Sequence, residues 1–397
     1  MHLYPRPAAL EQSLRLLHSG GDHRQVKVIV LAPYVSTNDP NLDYYYDFSQ
    51  SIAEYNKAFL ALGLDWEWKP VTMLDQTEVI AQYADIAANG DYIPILFNLC
   101  DGDEVNGTPG ISVVENLHRT GMIHTGSEAA FYRNTTSKVT MKKAFDAHGV
   151  PHAPWMEISS PEQDVRGIFK QVGKTIIVKP AVSGGSMGLG IQNVVETEAA
   201  LKEQVERIFA GYRGWELASG GIVAEAFIEG PEFTTLITGS AIRPRKSVIY
   251  HPVERIFHHS LPAKEKFLSF DRLWETYDEE SPMPGDGDFY QYTSAARKVA
   301  REIKQVSWDA FVATEGTGYT RADVRMHEKT GALFVLEVNA QCGLSEDENY
   351  TSIGAILRVN EKSFSAMISE IIYDGVLRHK AHKISSNKAE LLHVDRS

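Results

Sequence analysis

The sequence predicts an α/β protein in which an open, mainly parallel sheet is followed by antiparallel strands, and three observations carry that expectation. Apolar strand-like runs alternate with helical stripes from Val26 to about Thr125. A buried-looking strand runs into a glycine-rich turn at Lys174 to Gly190, KTIIVKPAVSGGSMGLG. Two alternating strands, Tyr319 to Met326 and Leu333 to Asn339, flank the turn His327 to Gly331.

The elements follow in order. Val26 to Pro33, VKVIVLAP, reads as a buried strand, and Ile52, Tyr55, Phe59 and Leu62 recur at helical spacing before Gly63 stops the helix. Tyr92 to Leu99 is the next strand, and a helix starts near Ile111. Ser137 to His148 is predicted helical, capped by Ser137 or Thr136 and ended by Gly149. Lys138 then sits in the first turn, against the positive end of the helix dipole, a mismatch of a few tenths to ~1 kcal/mol that an anion would relieve and that, for Lys138 considered alone, a solvated lysine more readily tolerates. A helix from Glu196 to Ala210 and strands from Ile222 to Ile228 and Glu232 to Thr238 come next, the strands meeting at Gly230-Pro231. The stretch His258 to Asp288 is long for a connection and rich in charge and aromatics, which marks it as a candidate lid. Ala296, Val299, Ala300, Ile303 and Val306 form one helical stripe, and Phe364, Met367, Ile368, Ile371 and Ile372 another. From about Arg378 the chain reads as a tail.

Composition narrows the class. The chain has 397 residues, 43% of them hydrophobic, enough for large cores and two or three domains. A formal charge of −13 offers no uniformly basic surface and argues against nucleic-acid binding. Cys100 and Cys342 stand in no metal-ligand spacing and fit a reducing compartment. No run resembles a signal peptide or approaches the ~18 apolar residues of a membrane span. The expectation is a cytoplasmic protein without a membrane partner, for which a homodimer is a compatible assembly.

The glycine-rich turn has phosphate-handling chemistry. Ser183, Gly184, Gly185, Ser186, Gly188 and Gly190 let backbone N–H groups converge on an anion, and Lys179 adds a positive charge just before them. A P-loop needs its lysine after the glycines, and the glycine order is the reverse of a dinucleotide fingerprint, so the turn matches neither motif and disfavours both. Taken alone, the turn is equally a surface loop beside a solvated lysine.

In the hairpin, side chains two apart share a face, so Arg321 joins Asp323, and Glu337 joins Asn339. If odd positions pair with odd ones, two carboxylates, an amide and a guanidinium occupy one site. Such oxygen ligands suit Mg²⁺ shared with nucleotide phosphates. The competing reading is a polar outer face laced by ion pairs.

Together these residues resemble the ATP-grasp superfamily, in its D-alanine:D-alanine ligase branch. The resemblance rests on IIVKPAVSGGSMGLG at Ile176 to Gly190, VAEAFIEGPEFTTLI at Val223 to Ile237, YTRADVRM at Tyr319 to Met326 and LEVNAQCGL at Leu336 to Leu344. Weaker matches at FNLCDG, TGS and HGVPHAP keep the family's order. It implies an N-terminal open α/β domain followed by a two-lobed ATP-grasp fold: an extension at 1–25, an α/β domain at 26–127, a central lobe at 128–226, a C-terminal lobe at 227–378 and a tail at 379–397.

The resemblance further implies an ATP-dependent ligase that activates a carboxylic acid as its acyl phosphate and transfers it to an amine. Lys138 and Lys179 would meet ATP phosphates, with Ser183, Gly184, Gly185, Ser186, Met187 and Gly188 as the flap. Glu225, Ala226, Phe227 and Ile228 would form the adenine connector, and Glu232 would accept the ribose hydroxyls. Asp323, Glu337 and Asn339 would hold Mg²⁺, or Mn²⁺ as an alternative. Arg321, Ser186 and the Gly343 backbone would act at the reacting centre. A non-catalytic ATP-binding module is the alternative.

Departures from the branch bear on the substrate. The motif that holds the first substrate's ammonium is replaced by APYVSTNDPNLDYYYD, with Tyr44 to Tyr46 as candidate contacts, and the histidine-glycine pattern becomes NLCDGDEVNGTPG. Arg272 is the nearest cationic substitute in the lid, and SEDEN at Ser345 to Asn349 is acidic where a carboxylate would be received. The expected substrates are therefore an amino acid or related small acid other than D-alanine, and an amine.

Overall fold

The computed structural model describes residues 7–19, 21–35, 48–277, 279–283 and 287–394, with side chains to residue 384. The first helix, α1 (Ala8–His18), lies in the stretch expected to be an extension. Its Leu10 and Leu17 enter the protein's largest core. Strands β1 (Gln25–Pro33), β2 (Asp65–Val71), β3 (Tyr92–Asn98) and β4 (Ile123–His124) form a parallel sheet in the order β2-β1-β3-β4. Helices α2 (Ser49–Leu62), α3 (Gln76–Asn89) and α4 (Ile111–Arg119) make the crossovers. Gly63 ends α2 in the left-handed conformation, at φ 63°.

Helices α5 (Ala129–Thr136) and α6 (Lys138–His148) join this unit to the rest. Ser137 occupies the cap position of α6 with extended backbone but makes no side-chain cap bond. The antiparallel second sheet has the order β5-β8-β6-β7, from β5 (Trp155–Ile158), β6 (Ile176–Pro180), β7 (Val194–Val195) and β8 (Ile222–Ala226). Helices α7 (Ile168–Gln171) and α8 (Glu198–Ala210) accompany it, the latter capped by the Thr197 hydroxyl, which accepts from the Ala200 amide at 3.2 Å.

The third sheet runs β12-β11-β9-β13-β14, with β10 also on β9. Its strands are β9 (Glu232–Ser240), β10 (Val248–Ile249), β11 (Val253–Phe257), β12 (Tyr290–Ser294), β13 (Thr317–Met326) and β14 (Leu333–Ala340). Helix α9 (Phe270–Leu273) lies between β11 and β12, and α10 (Arg297–Ala313) follows β12. Met141 and Phe145 of α6 pack with Val335 and Val338 of this sheet, whereas Val139 packs with Ala181 and Val223 of the second. Helix α6 therefore wedges between the two sheets.

After α11 (Ser352–Val359), helix α12 (Phe364–Val394) continues through the stretch expected to be a tail. Arg378, buried, pairs with Asp374 at 2.7 Å and donates to the His124 and Gly126 carbonyls. Its i,i+4 partner and two carbonyls let this arginine be buried at the point where the tail was expected to begin. Phe364, Met367 and Ile371 of α12 share one core with Val28, Phe97 and α1, which packs both helices against the first sheet. No helix among the described residues is long and apolar enough to cross a membrane.

Candidate active site

Strands β13 and β14 pair with Arg321 opposite Asn339 and Asp323 opposite Glu337, so the four polar side chains share one face. Arg321 donates from Nε to Asp323 Oδ2 at 3.0 Å, and its Nη2 lies 2.9 Å from that oxygen and 3.6 Å from Glu337 Oε1. Asn339 Nδ2 donates to Glu337 at 3.1 Å. Burial disfavours the Arg321 charge, but Asp323 and Glu337 outweigh it and hold the guanidinium firmly protonated. Asp323 is 4% exposed, and its Oδ1 has no hydrogen-bond partner. A buried carboxylate oxygen with nothing to accept from is costly, and a cation is the partner it lacks. With Glu337 and the Asn339 amide beside it, the donor set fits Mg²⁺. Among the described residues no group of three or more His, Cys, Asp or Glu side chains is placed to hold a metal ion.

A lysine cluster stands across from this face. Lys179 of β6 and Lys142 of α6 grip opposite oxygens of Glu225, at 2.6 Å and 2.5 Å. Burial alone would raise the Glu225 carboxyl, but Lys142 and Lys179 draw it down to about 2. Two ammonium groups on one carboxylate leave a surplus positive charge, and Lys179 is the more exposed of the two. Lys142 escaped the sequence reading, and the one signal for it was its position four residues after Lys138, on the same face of α6. Lys138 donates from Nζ to the Ser183 carbonyl at 3.0 Å and hydroxyl at 3.2 Å, tying α6 to the flap. Burial lowers its pKa, and Glu337 across the site opposes that shift.

The flap holds a tight shape. Gly185 and Ser186 are consecutive left-handed residues, φ 55° and 62°, and Gly188 follows at 75°. For Ser186 this conformation costs roughly 1–3 kcal/mol. The Met187 amide donates to Gly184 O at 3.0 Å. The expected lid rests on the flap: Trp274 Nε1 donates to Gly185 O at 2.8 Å, and the Phe270 amide donates to Leu189 O at 2.8 Å. A cleft of about 320 Å³ lies between the flap, the loop from Asp101 to Thr108 and the end of β14. Asp101, Asp103, Tyr132, Trp274 and Asn339 contribute to its wall.

Residues 144–373 match the family model for the D-ala D-ala ligase C-terminus. The chain belongs to this family. It is thereby an ATP-grasp ligase of the carbon–nitrogen bond-forming class. The D-alanine–D-alanine ligase B of Xanthomonas campestris pv. campestris is 26% identical over 253 residues, 63% of this chain and 69% of that protein. The D-alanine–D-alanine ligase of Ectopseudomonas mendocina is 24% identical over 260 residues, 66% of this chain and 72% of that protein. The Bacillus anthracis D-alanine–D-alanine ligase complexed with ATP superposes with a TM-score of 0.62 at 17% identity, covering 90% of this chain and 99% of that one. The Coxiella burnetii enzyme gives 0.63 at 14% identity, covering 92% and 100%. These two likenesses show a common fold.

Several positions in this D-ala D-ala ligase family member have partners that the sequence did not announce. Glu232, expected at the ribose hydroxyls, is buried with one oxygen on Arg255 and the other on Arg325, which fix the carboxylate in place. Glu225, expected in the adenine connector, points into the lysine cluster. The Ala226 and Phe227 amides donate to Pro154 O and Thr175 O, and Ile228 O accepts from Arg325. Arg272 is not aimed at a phosphate: it lies buried against Glu265 at 2.7 Å and Glu280 at 3.4 Å.

The acidic loop is also largely spent on structure. Glu346 pairs with Lys57 at 2.6 Å, and Asp347 accepts from the Asn349 and Tyr350 amides. Gly343 is exposed beyond β14, with open space where a Cβ would stand. Tyr44 to Tyr46 lie outside the described residues.

Proposed function

We propose that the protein joins a carboxylic acid to an amine at the expense of ATP, forming an amide or peptide bond through an acyl phosphate and releasing ADP and phosphate. One observation above all supports this reading: Arg321 is fixed by Asp323 and Glu337 on the face that would meet the metal–nucleotide. Capture of a nucleotide needs cations for phosphate and carboxylates for metal, and a guanidinium among those carboxylates adds little to it. A guanidinium there suits negative charge that develops as an acyl group reacts.

The remaining roles follow from position. Lys138 and Lys179 would bind phosphates, and Ser186 with the flap amides would close over them. Asp323, Glu337 and Asn339 would hold Mg²⁺, which screens phosphate charge as a carboxylate approaches, with Mn²⁺ as the alternative ion. The lid excludes water, to which an acyl phosphate is vulnerable. The Gly343 backbone would join Arg321 at the oxyanion.

The proposal extends to substrates other than the D-alanine pair. The cleft beside the flap presents Asp101 and Asp103, and among the described residues no lysine or arginine lines it, which favours a cationic amine over a second free carboxylate. The test is ADP release with product mass across acids and amines, D-alanine included. Turnover with an amine that lacks a carboxylate is expected. Efficient D-alanyl-D-alanine formation would refute the substrate reading and leave the ligase intact. No ADP release with any pair, despite MgATP binding, would favour the binding-module alternative.

A further inference from the structure

The third sheet carries a second recess, away from the proposed site. Helix α10 and the turn from Pro244 to Ser247 enclose a groove of about 470 Å³, walled by Arg297, Arg301 and Lys304 with Ala300 and Trp308 beside them. Ala300 and Ile303 of α10 pack with Ala322 and Val324 of β13, so the groove lies behind the sheet whose other face carries Arg321 and Asp323.

Its charge is uncompensated. Positions 297, 301, 304 and 308 fall on one helical face, and among the described residues no aspartate or glutamate lines the groove. Among the described residues none of the three cations forms an ion pair. Elsewhere the pattern is the reverse, with Arg255, Arg272, Arg321, Arg325 and Arg378 each set against a carboxylate. In a chain of formal charge −13, three unpaired cations in one concave face run against the overall balance. Burial lowers the Lys304 pKa with no neighbouring carboxylate to oppose it. The first turn of α10 holds no acidic residue, and Ala296 gives it no side-chain cap, so Arg297 stands at the positive end of the helix dipole. Arg297 and Arg301 are exposed and Lys304 is half-buried, so the groove and the helix end present their positive charge on one open face.

We infer that this groove binds a small phosphorylated anion at a site separate from the proposed catalytic centre. The three cations span about 10 Å along the helix, at ~1.5 Å per residue, which matches a short run of phosphates and is too compact for an extended nucleic-acid backbone. Arginine forks suit phosphoryl oxygens, and Trp308 supplies an apolar wall for whatever the phosphates are attached to. The volume falls within the range of small-molecule sites.

The test uses tripolyphosphate as probe. It is titrated by calorimetry into the full chain carrying Lys179→Ala, which weakens the proposed catalytic phosphate site, and into the same chain also carrying Arg301→Gln and Lys304→Gln. Affinity should fall at least about tenfold in the triple variant, and in the single variant it should weaken with added salt. The charge-retaining pair Arg301→Lys and Lys304→Arg should keep binding, which separates lost charge from lost fold. Citrate, of comparable charge without phosphoryl groups, should bind at least about tenfold more weakly than tripolyphosphate. Equal tripolyphosphate affinity with and without the two cations, absence of binding, or citrate binding as tightly would each overturn the inference. The readout is binding behind the sheet, so it stands apart from the ligase reading.

Discussion

Lys179 Nζ lies 2.6 Å from Glu225 Oε1, and that contact is only half of what holds the carboxylate, since Lys142 takes the other oxygen from α6. Glu225 therefore joins the wedge helix to the strand that feeds the flap. It also fixes Lys179 at the mouth of the glycine turn, where a flexible lysine would lose side-chain entropy on meeting a phosphate.

Glu225→Gln should destabilise the fold by roughly 3–5 kcal/mol, because two ammonium groups would stay together without their anion. The pH dependence has a definite sign. The folded carboxyl sits at about 2, below its ordinary 4.5, so its contribution is complete above about 4.5 and is lost as pH falls toward 2. Urea unfolding across that window should show parent stability declining and a flatter profile in the variant. Coincident profiles would remove the lysine cluster from the account of stability.

Arg321→Ala should lower turnover about 10²–10³-fold while MgATP affinity stays within about threefold, since its partner is charge that develops during reaction. Single-turnover kinetics beside calorimetry separate the two effects. Equal product formation by variant and parent, with chemistry rate-limiting, would take Arg321 out of the mechanism.

Trp274→Ala removes the indole that donates to Gly185 O and should loosen the lid from the flap. Amide exchange across 183–189 is expected to quicken, and ATP hydrolysis without an amine to rise relative to ligation. Unchanged exchange would show that the lid does not hold the flap.

Local pattern made much of this legible. The parity that gathers Arg321, Asp323, Glu337 and Asn339 needs only two alternating strands and a short turn, and the register agrees with it. The flap announced itself through glycines, and Ser186 at positive φ is the strained residue among them. Pairings between distant strands were not legible. Glu232 stands opposite Arg325 on β13 and Arg255 on β11, and neither partner is apparent until three separated segments are set side by side. Lys142 had no pattern of its own, and its meaning comes from Glu225 on another sheet. Helix α1 was missed because a short amphipathic run, Leu10 and Leu17 included, reveals its role only against α12 at the far end of the chain.

Whether Lys179 and Glu337 are halves of one nucleotide site is decided by calorimetric titration of MgATP into the parent, Lys179→Ala and Glu337→Ala, repeated with metal-free ATP. MgATP affinity should fall at least about tenfold in each variant, and the loss in Glu337→Ala should largely vanish without Mg²⁺. Unchanged MgATP affinity in both variants would contradict the shared site.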